Sequence, residues 1–155
     1  NRKEAEVERT NNRLLQLKKD LSERLSDINY MQLNINISKN TDISSEINRL
    51  NVLFGEYQQK LYTAKFIYEN DENKLAKQFY KAYYEFIVFY CDRINCFKQI
   101  LTSGNDNEEM RRLLSEQINN LSISQLASFK LVNDAALDYY NSEEDRLNRL
   151  KTSFL

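Results

Sequence analysis

The chain of 155 residues contains no proline, no histidine and only two glycines, Gly55 and Gly104. Proline and glycine punctuate hairpins, tight turns and long loops, so their scarcity removes the breaks a strand-rich fold needs. Long helices joined by short polar turns are what remains. Without histidine the chain cannot assemble a Ser-His-Asp or Cys-His nucleophile, an HExxH zinc site, a di-iron bundle with its Glu-x-x-His ligands, or a histidine-dependent RNase centre. Neither a P-loop, a GxGxxG turn nor an EF-hand loop occurs. The two cysteines, Cys91 and Cys96, are too few for a secreted disulfide framework. Five residues turn a helix through about 140°, so these thiols point to different sides and neither bond each other nor share a metal. Reduced, buried thiols of a cytosolic compartment are expected. Charge of one sign is missing too. With 22 basic and 23 acidic residues the net charge is −1, and no global field draws the protein to nucleic acid or an acidic membrane.

Long hydrophobic runs are also lacking. The longest, residues 82–91, is interrupted by Glu85, and about twenty apolar residues are needed to cross a bilayer. The sequence opens at Asn1 without an initiator methionine or a signal-peptide core. The expectation is a piece of a longer protein, with a membrane tether upstream of Asn1 and the present chain on the cytoplasmic side.

What the chain does have is hydrophobic periodicity. In residues 75–101, Leu75, Phe79, Ala82, Phe86, Tyr90, Ile94, Phe97 and Leu101 recur at steps of three and four, along one stripe of a helix. Tyr80, Tyr83, Tyr84, Ile87, Val88 and Cys91 cover most of the remaining circumference. A helix apolar on nearly every side must be surrounded by others. The fold class is therefore all-α, an antiparallel helical bundle of about five or six helices with this segment at its centre.

Ahead of it, Val7, Leu14, Leu21, Ile28 and Ile35 repeat every seven residues. Such a narrow seam resembles a coiled coil, and at 1.5 Å per residue the segment would extend roughly 50 Å. The expected division is a coiled-coil-like helix over residues 1–37, self-associating through that seam, and a helical bundle domain over 38–155. A long bundle helix lying along its neighbours is the alternative. Thr41 or Asp42 can cap the next helix, whose stripe is Ile43, Ile47, Leu50, Phe54, Tyr57, Leu61, Ala64 and Tyr68. Gly104 is placed to end the central helix. Three shorter helices are then expected. The first carries Met110, Leu113, Leu114, Ile118 and Leu121 inward, with Glu108 supporting Arg112. The second starts at a Ser122/Gln125 capping box and buries Leu126, Phe129, Val132, Ala136 and Tyr139. The last starts near Asn141 and carries Leu147, Leu150 and Phe154.

Carboxylates, tyrosines and basic clusters carry what chemistry is left. Glu108 with Glu109, and Glu143 with Glu144 and Asp145, could pair as acids or hold magnesium, but each group falls in an expected first helical turn, where acids oppose the helix dipole in any case. No catalytic, cofactor or metal residue is assigned. Of ten tyrosines, Tyr80, Tyr83, Tyr84 and Tyr90 of the central helix could line a ligand cavity, the pocket being placed beside Tyr83, Tyr84 and Tyr90; packing, with the hydroxyl finding water or a carbonyl, is the commoner use. Basic residues near the N-terminus alternate with acids, and nucleic-acid binding is not expected.

Two stretches carry a resemblance, FYKAYYEFIVFYCDRI over 79–94 and LLSEQINNLSISQLASF over 113–129, preceded by a coil-like helix. This order resembles the phage abortive-infection membrane proteins. In that family N-terminal transmembrane helices lead through a coil to a helical cytoplasmic domain with a Tyr-rich helix and a segment similar to R-A-Q-L-S-x-x-E-L. Arg112, Gln117 and Leu126 follow the second motif with stretched spacing, and Gln125 stands where the family favours an acid. The resemblance implies a bacterial, membrane-tethered role in phage defence, and no catalytic residue carries over.

Together these observations lead to a non-enzymatic helical interaction and oligomerisation module with an unidentified protein partner. A ligand-sensing bundle with a Tyr-lined pocket is the first alternative, and a metal-dependent enzyme using carboxylates the second.

Overall fold

The computed structural model describes residues 1–33, 42–103 and 107–153, and these form four helices. They are α1 (Arg2–Leu33), α2 (Ile43–Asn70), α3 (Lys74–Ser103) and α4 (Glu108–Thr152). The all-α class and the bundle hold; the number of helices does not. The three helices expected after residue 107 are one, 45 residues long, or about 68 Å at 1.5 Å per residue. Ser122 does not cap anything: its hydroxyl donates to the carbonyl of Ile118 one turn back at 2.8 Å. Gln125 is buried rather than turned to a helix start. No glycine or proline occurs after Gly104, so nothing in the covalent chain obliges the helix to stop.

α3 lies at the centre and packs along α2 and α4, with a smaller contact to α1. Phe79, Phe86, Ile87, Tyr90 and Ile94 are wholly buried, and Tyr83 and Cys91 nearly so. They belong to a single core that also takes Leu50, Tyr57, Leu61 and Ala64 from α2 and Val132 and Ala136 from α4. The rings meet edge to face, Tyr57 on Tyr90 with centroids 4.9 Å apart and Phe79 on Tyr80 at 5.1 Å. That arrangement sets positive ring edges against negative faces. Beyond this core, Cys96, Leu114 and Ile118 form a smaller cluster between the C-terminal half of α3 and the start of α4. The two cysteines are thus both buried and unpaired, one in each cluster.

The turns are capped by side chains. Asn73 begins α3, its Oδ1 accepting from the amides of Leu75 and Ala76 at 2.9 and 3.2 Å. Asn107 does the same for α4, accepting from Met110 at 3.0 Å. Each satisfies amides that the helix itself leaves open. Asp42 stands at the N-cap of α2 without a side-chain cap bond; Thr41 and Gly104 lie outside the described residues. Arg112 bridges Glu109 and Glu116, both at 2.7 Å, and not Glu108. Gly55 faces open space in α2, so crowding does not account for it.

α1 runs antiparallel to α4. Lys18, Leu21 and Leu25 lie beside Asn133, Ala136 and Tyr140, and Arg13 and Leu14 beside Glu143 and Arg146. Leu21, Ile28 and Met31 enter the same core as α3. The heptad seam is therefore used within the chain along the second half of α1. Toward its start, Val7 and Leu14 are half-buried and Thr10 is buried, while the residues around them are exposed. Among the described residues no helix is long and apolar enough to cross a membrane.

A single continuous α4 also changes which of its residues face in. Leu114, Ile118, Gln125, Ser128, Val132, Ala136 and Leu147 hold the buried positions. A helix that does not break cannot rephase, so Met110, Leu113 and Leu126, expected inside, are 42%, 49% and 66% exposed. Gln125 occupies the position that a second, rotated helix would have given to Leu126.

Candidate functional site

α1 and α2 both lean on α3 but scarcely touch each other, and the gap between them is a cleft of about 410 Å³ floored by α3. Its walls are Arg24 from α1 and Glu56, Gln59, Lys60, Thr63, Ala64 and Ile67 from α2; Tyr80 and Tyr83 form the floor. One layer of the cleft is tied together. Lys60 Nζ lies 3.2 Å from Asp27 Oδ2 across the gap, and the Tyr83 hydroxyl donates to the same oxygen at 3.1 Å. Three helices thereby converge on one carboxylate. The ion pair is partly exposed and contributes at most about 1 kcal/mol, and it spans the gap between α1 and α2.

The tyrosines around it hold their protons strongly. Burial raises Tyr83 above its ordinary value, and the neighbouring Asp27 charge and hydrogen bond add to this. Burial also raises Tyr80, with the Arg24 guanidinium opposing. Tyr90 is pushed up to about 12, first by burial. At neutral pH these phenols are donors, not bases.

Of the three tyrosines picked out in the sequence, the structure places Tyr83 on the cleft, while Tyr84 and Tyr90 do not line it. Tyr84 pairs with the ring of Tyr68 at 5.4 Å, and Tyr90 is enclosed against Tyr57. Tyr80, the fourth tyrosine of the central helix read as able to line a cavity, also lies on the cleft, whereas Arg24 and Lys60 were not singled out from the sequence as site residues. Of the seam residues, Leu21 and Ile28 are buried, Val7 and Leu14 half-buried, and Ile35 lies outside the described residues. The paired acids do not converge on a cation site: Glu143 accepts from Asn73 at 3.2 Å and approaches Arg146 at 3.8 Å. Among the described residues no group of three metal-ligating side chains comes together.

A second polar feature lies inside the bundle. Arg93 of α3 donates from Nη1 to Gln125 Oε1 at 2.5 Å, while Arg93 Nε, Gln125 Nε2 and the Tyr90 hydroxyl are buried without a protein partner among the described residues. Burial lowers the Arg93 pKa below its ordinary value. Gln125→Leu removes the side-chain acceptor of this half-buried cation and should cost about 1–3 kcal/mol, read as a lower midpoint in urea unfolding with an unchanged slope. An unchanged midpoint would show that water serves Arg93 equally well.

The outward side of α4 is the other candidate surface. Ile123, Leu126, Leu131 and Leu137 are 69%, 66%, 58% and 59% exposed. Ile123, Leu126 and Leu137 fall within about 60° of one another on the helix and span about 21 Å along it. Lys130 and Asp134 lie between them on the same face, both exposed. Neither is in an ion pair among the described residues. A groove of about 420 Å³ adjoins this face, where Lys18 and Leu25 of α1 meet Leu137 and Tyr140.

No known family model matches the chain, and neither a curated protein nor a solved structure is similar to it at a level that would show kinship.

Proposed function

We propose that this chain is a non-enzymatic helical interaction module that self-associates through the outward face of α4. The observation that carries this is the row Ile123, Leu126 and Leu137 on a helix whose opposite face is already buried. Singly exposed leucines are ordinary, whereas several on one face of one helix mark an association surface. Two copies related by a two-fold axis near residue 132, with their α4 helices antiparallel, bring Lys130 of each beside Asp134 of the other. The same operation sets Leu126 against Leu137. A contact that is self-complementary in both charge and apolar surface suits an isologous dimer. The heptad seam of α1 suits that role less well, because Leu21 and Ile28 are enclosed by α3 and α4.

A membrane tether ahead of Asn1 and a part in phage defence belong to the same proposal. They rest on the resemblance of residues 79–94 and 113–129 to the abortive-infection membrane proteins. In that setting association of the helical domain would gather the tethered chains.

Light scattering after size-exclusion chromatography tests the association. The expected result is a concentration-dependent dimer that the double variant Leu126→Glu, Leu137→Glu reduces to monomer with unchanged helicity. Lys130→Asp alone should weaken it by repulsion, and adding Asp134→Lys should restore it. A monomer at every concentration would overturn the proposal.

A further inference from the structure

The cleft between α1, α2 and α3 has a layered construction that points to a ligand. Asp27, Lys60 and Tyr83 make one layer, and each helix supplies a second residue three positions away: Arg24, Thr63 and Tyr80. Three positions are nearly one helical turn, and α1 and α3 run opposite to α2. These second residues therefore form an adjoining layer about 5 Å further along the cleft. In the first layer the charges cancel, since Asp27 accepts from both Lys60 and Tyr83. In the second they do not.

Arg24 is half-buried and makes no hydrogen bond or ion pair among the described residues. Tyr80, which lines the cleft with it, is also half-buried. The one carboxylate that lines the cleft, Glu56, sits on the far side of the Asp27–Lys60 bridge, since it comes four residues before Lys60 on α2. Asp20 and Asp71, whose charges reach Tyr80, line a separate groove toward α4. With no protein acceptor to hold it, the Arg24 guanidinium is available to an arriving anion, and its planar fork matches a carboxylate or phosphate with two parallel bonds.

We infer that this cleft binds a small organic anion, its acidic head held by Arg24 and Lys60 and its body lying on Ala64, Ile67 and Tyr80. The volume of about 410 Å³ suits a molecule of metabolite size. Because the Asp27–Lys60 bridge crosses the cleft between its Glu56 and Thr63 sides, an anion that engages Lys60 competes with Asp27. Ligand binding therefore acts on the contact that bridges α1 and α2. This site is independent of the α4 face.

Titration of the full chain with benzoate, phenyl phosphate and neutral benzyl alcohol, followed by amide shifts in NMR spectra, tests the inference. Benzoate, phenyl phosphate or both should move the amides around Arg24, Thr63 and Tyr80, and benzyl alcohol should not. The two anions distinguish a carboxylate from a phosphate preference. Arg24→Gln should weaken binding at least tenfold with the remaining spectrum unchanged, as Arg24 has no partner to lose. Lys60→Gln should weaken it less, and Arg13→Gln, an exposed cation elsewhere on α1, should leave it unchanged. Failure of both anions to bind would overturn the inference. Equal binding of benzyl alcohol, or undiminished binding by the Arg24→Gln protein, would do the same.

Discussion

Phe86→Ala should lower stability by about 3–5 kcal/mol, because the ring is wholly enclosed and the bundle cannot close on the space it leaves. For a chain of this size each kcal/mol shifts the melting temperature by about 2–4 °C, so a loss near 10 °C is expected by calorimetry. Phe86 sits in the middle of α3 with the Phe129 ring of α4 6.4 Å away, and its neighbours in the core come from all four helices. The comparison is Phe66→Ala. That ring is 68% exposed on α2, and its removal should move stability by no more than about 0.5 kcal/mol. Similar losses from the two would mean that α3 is not the enclosed element.

Ser122→Pro separates one long α4 from two shorter helices. In a continuous helix the substitution removes the amide of residue 122 from the ladder and drives the ring into the carbonyl of Ile118, at a cost of about 3 kcal/mol or more. Ser122 already returns its hydroxyl to that carbonyl, which places it in the helix interior. Had a new helix begun there, proline near its first turn would be tolerated, since the amides of a first turn are free. Thermal unfolding by far-ultraviolet circular dichroism reads the difference. A melting temperature within about 2 °C of the unsubstituted chain would show a break at this point.

Much of this fold is legible in the residues. The stripe from Phe79 to Ile94, with tyrosines and Ile87 filling the other sides, states outright that α3 is surrounded, and the structure encloses those residues. The stripe of α2 is equally plain from Leu50 to Ala64. Its first member is the exception: Ile43 stands 53% exposed at the open end of the helix. α4 was harder to read for a physical reason. Ser, Thr, Asn and Asp favour helix starts because their side chains can accept from free amides, yet inside a helix the same hydroxyl or amide can turn back to the preceding turn. Ser122, Asn133 and Thr152 all do so. A serine followed three residues later by glutamine is thus a start only where the chain has already broken, and here it has not.

The cleft was less legible still. A tyrosine-rich helix shows that large rings must be accommodated, but which rings meet a gap depends on how far apart the flanking helices stand. That gap is spanned by Asp27 and Lys60, 33 positions apart in the chain, and no local pattern announces such a pair. The heptad repeat of α1 likewise states that one ridge is apolar without saying what covers it. Leu21 and Ile28 find α3 and α4 of their own chain. The outward row on α4 could be read only once the helix was known to be unbroken, because Ile123, Leu126 and Leu137 share a face only if the turns between them are continuous.

A pair of inter-copy distances tests the unbroken, self-pairing α4 most directly. With Cys91 and Cys96 replaced by alanine, a single spin label is placed at Asp138 in one sample and at Asn120 in another; both positions are exposed. Two antiparallel α4 helices crossing near residue 132, 8–10 Å apart and rising 1.5 Å per residue, should give separations of about 20 Å at Asp138 and about 37 Å at Asn120. Equal distances at the two sites, or no dipolar coupling between copies at either, would contradict an unbroken α4 that pairs with itself.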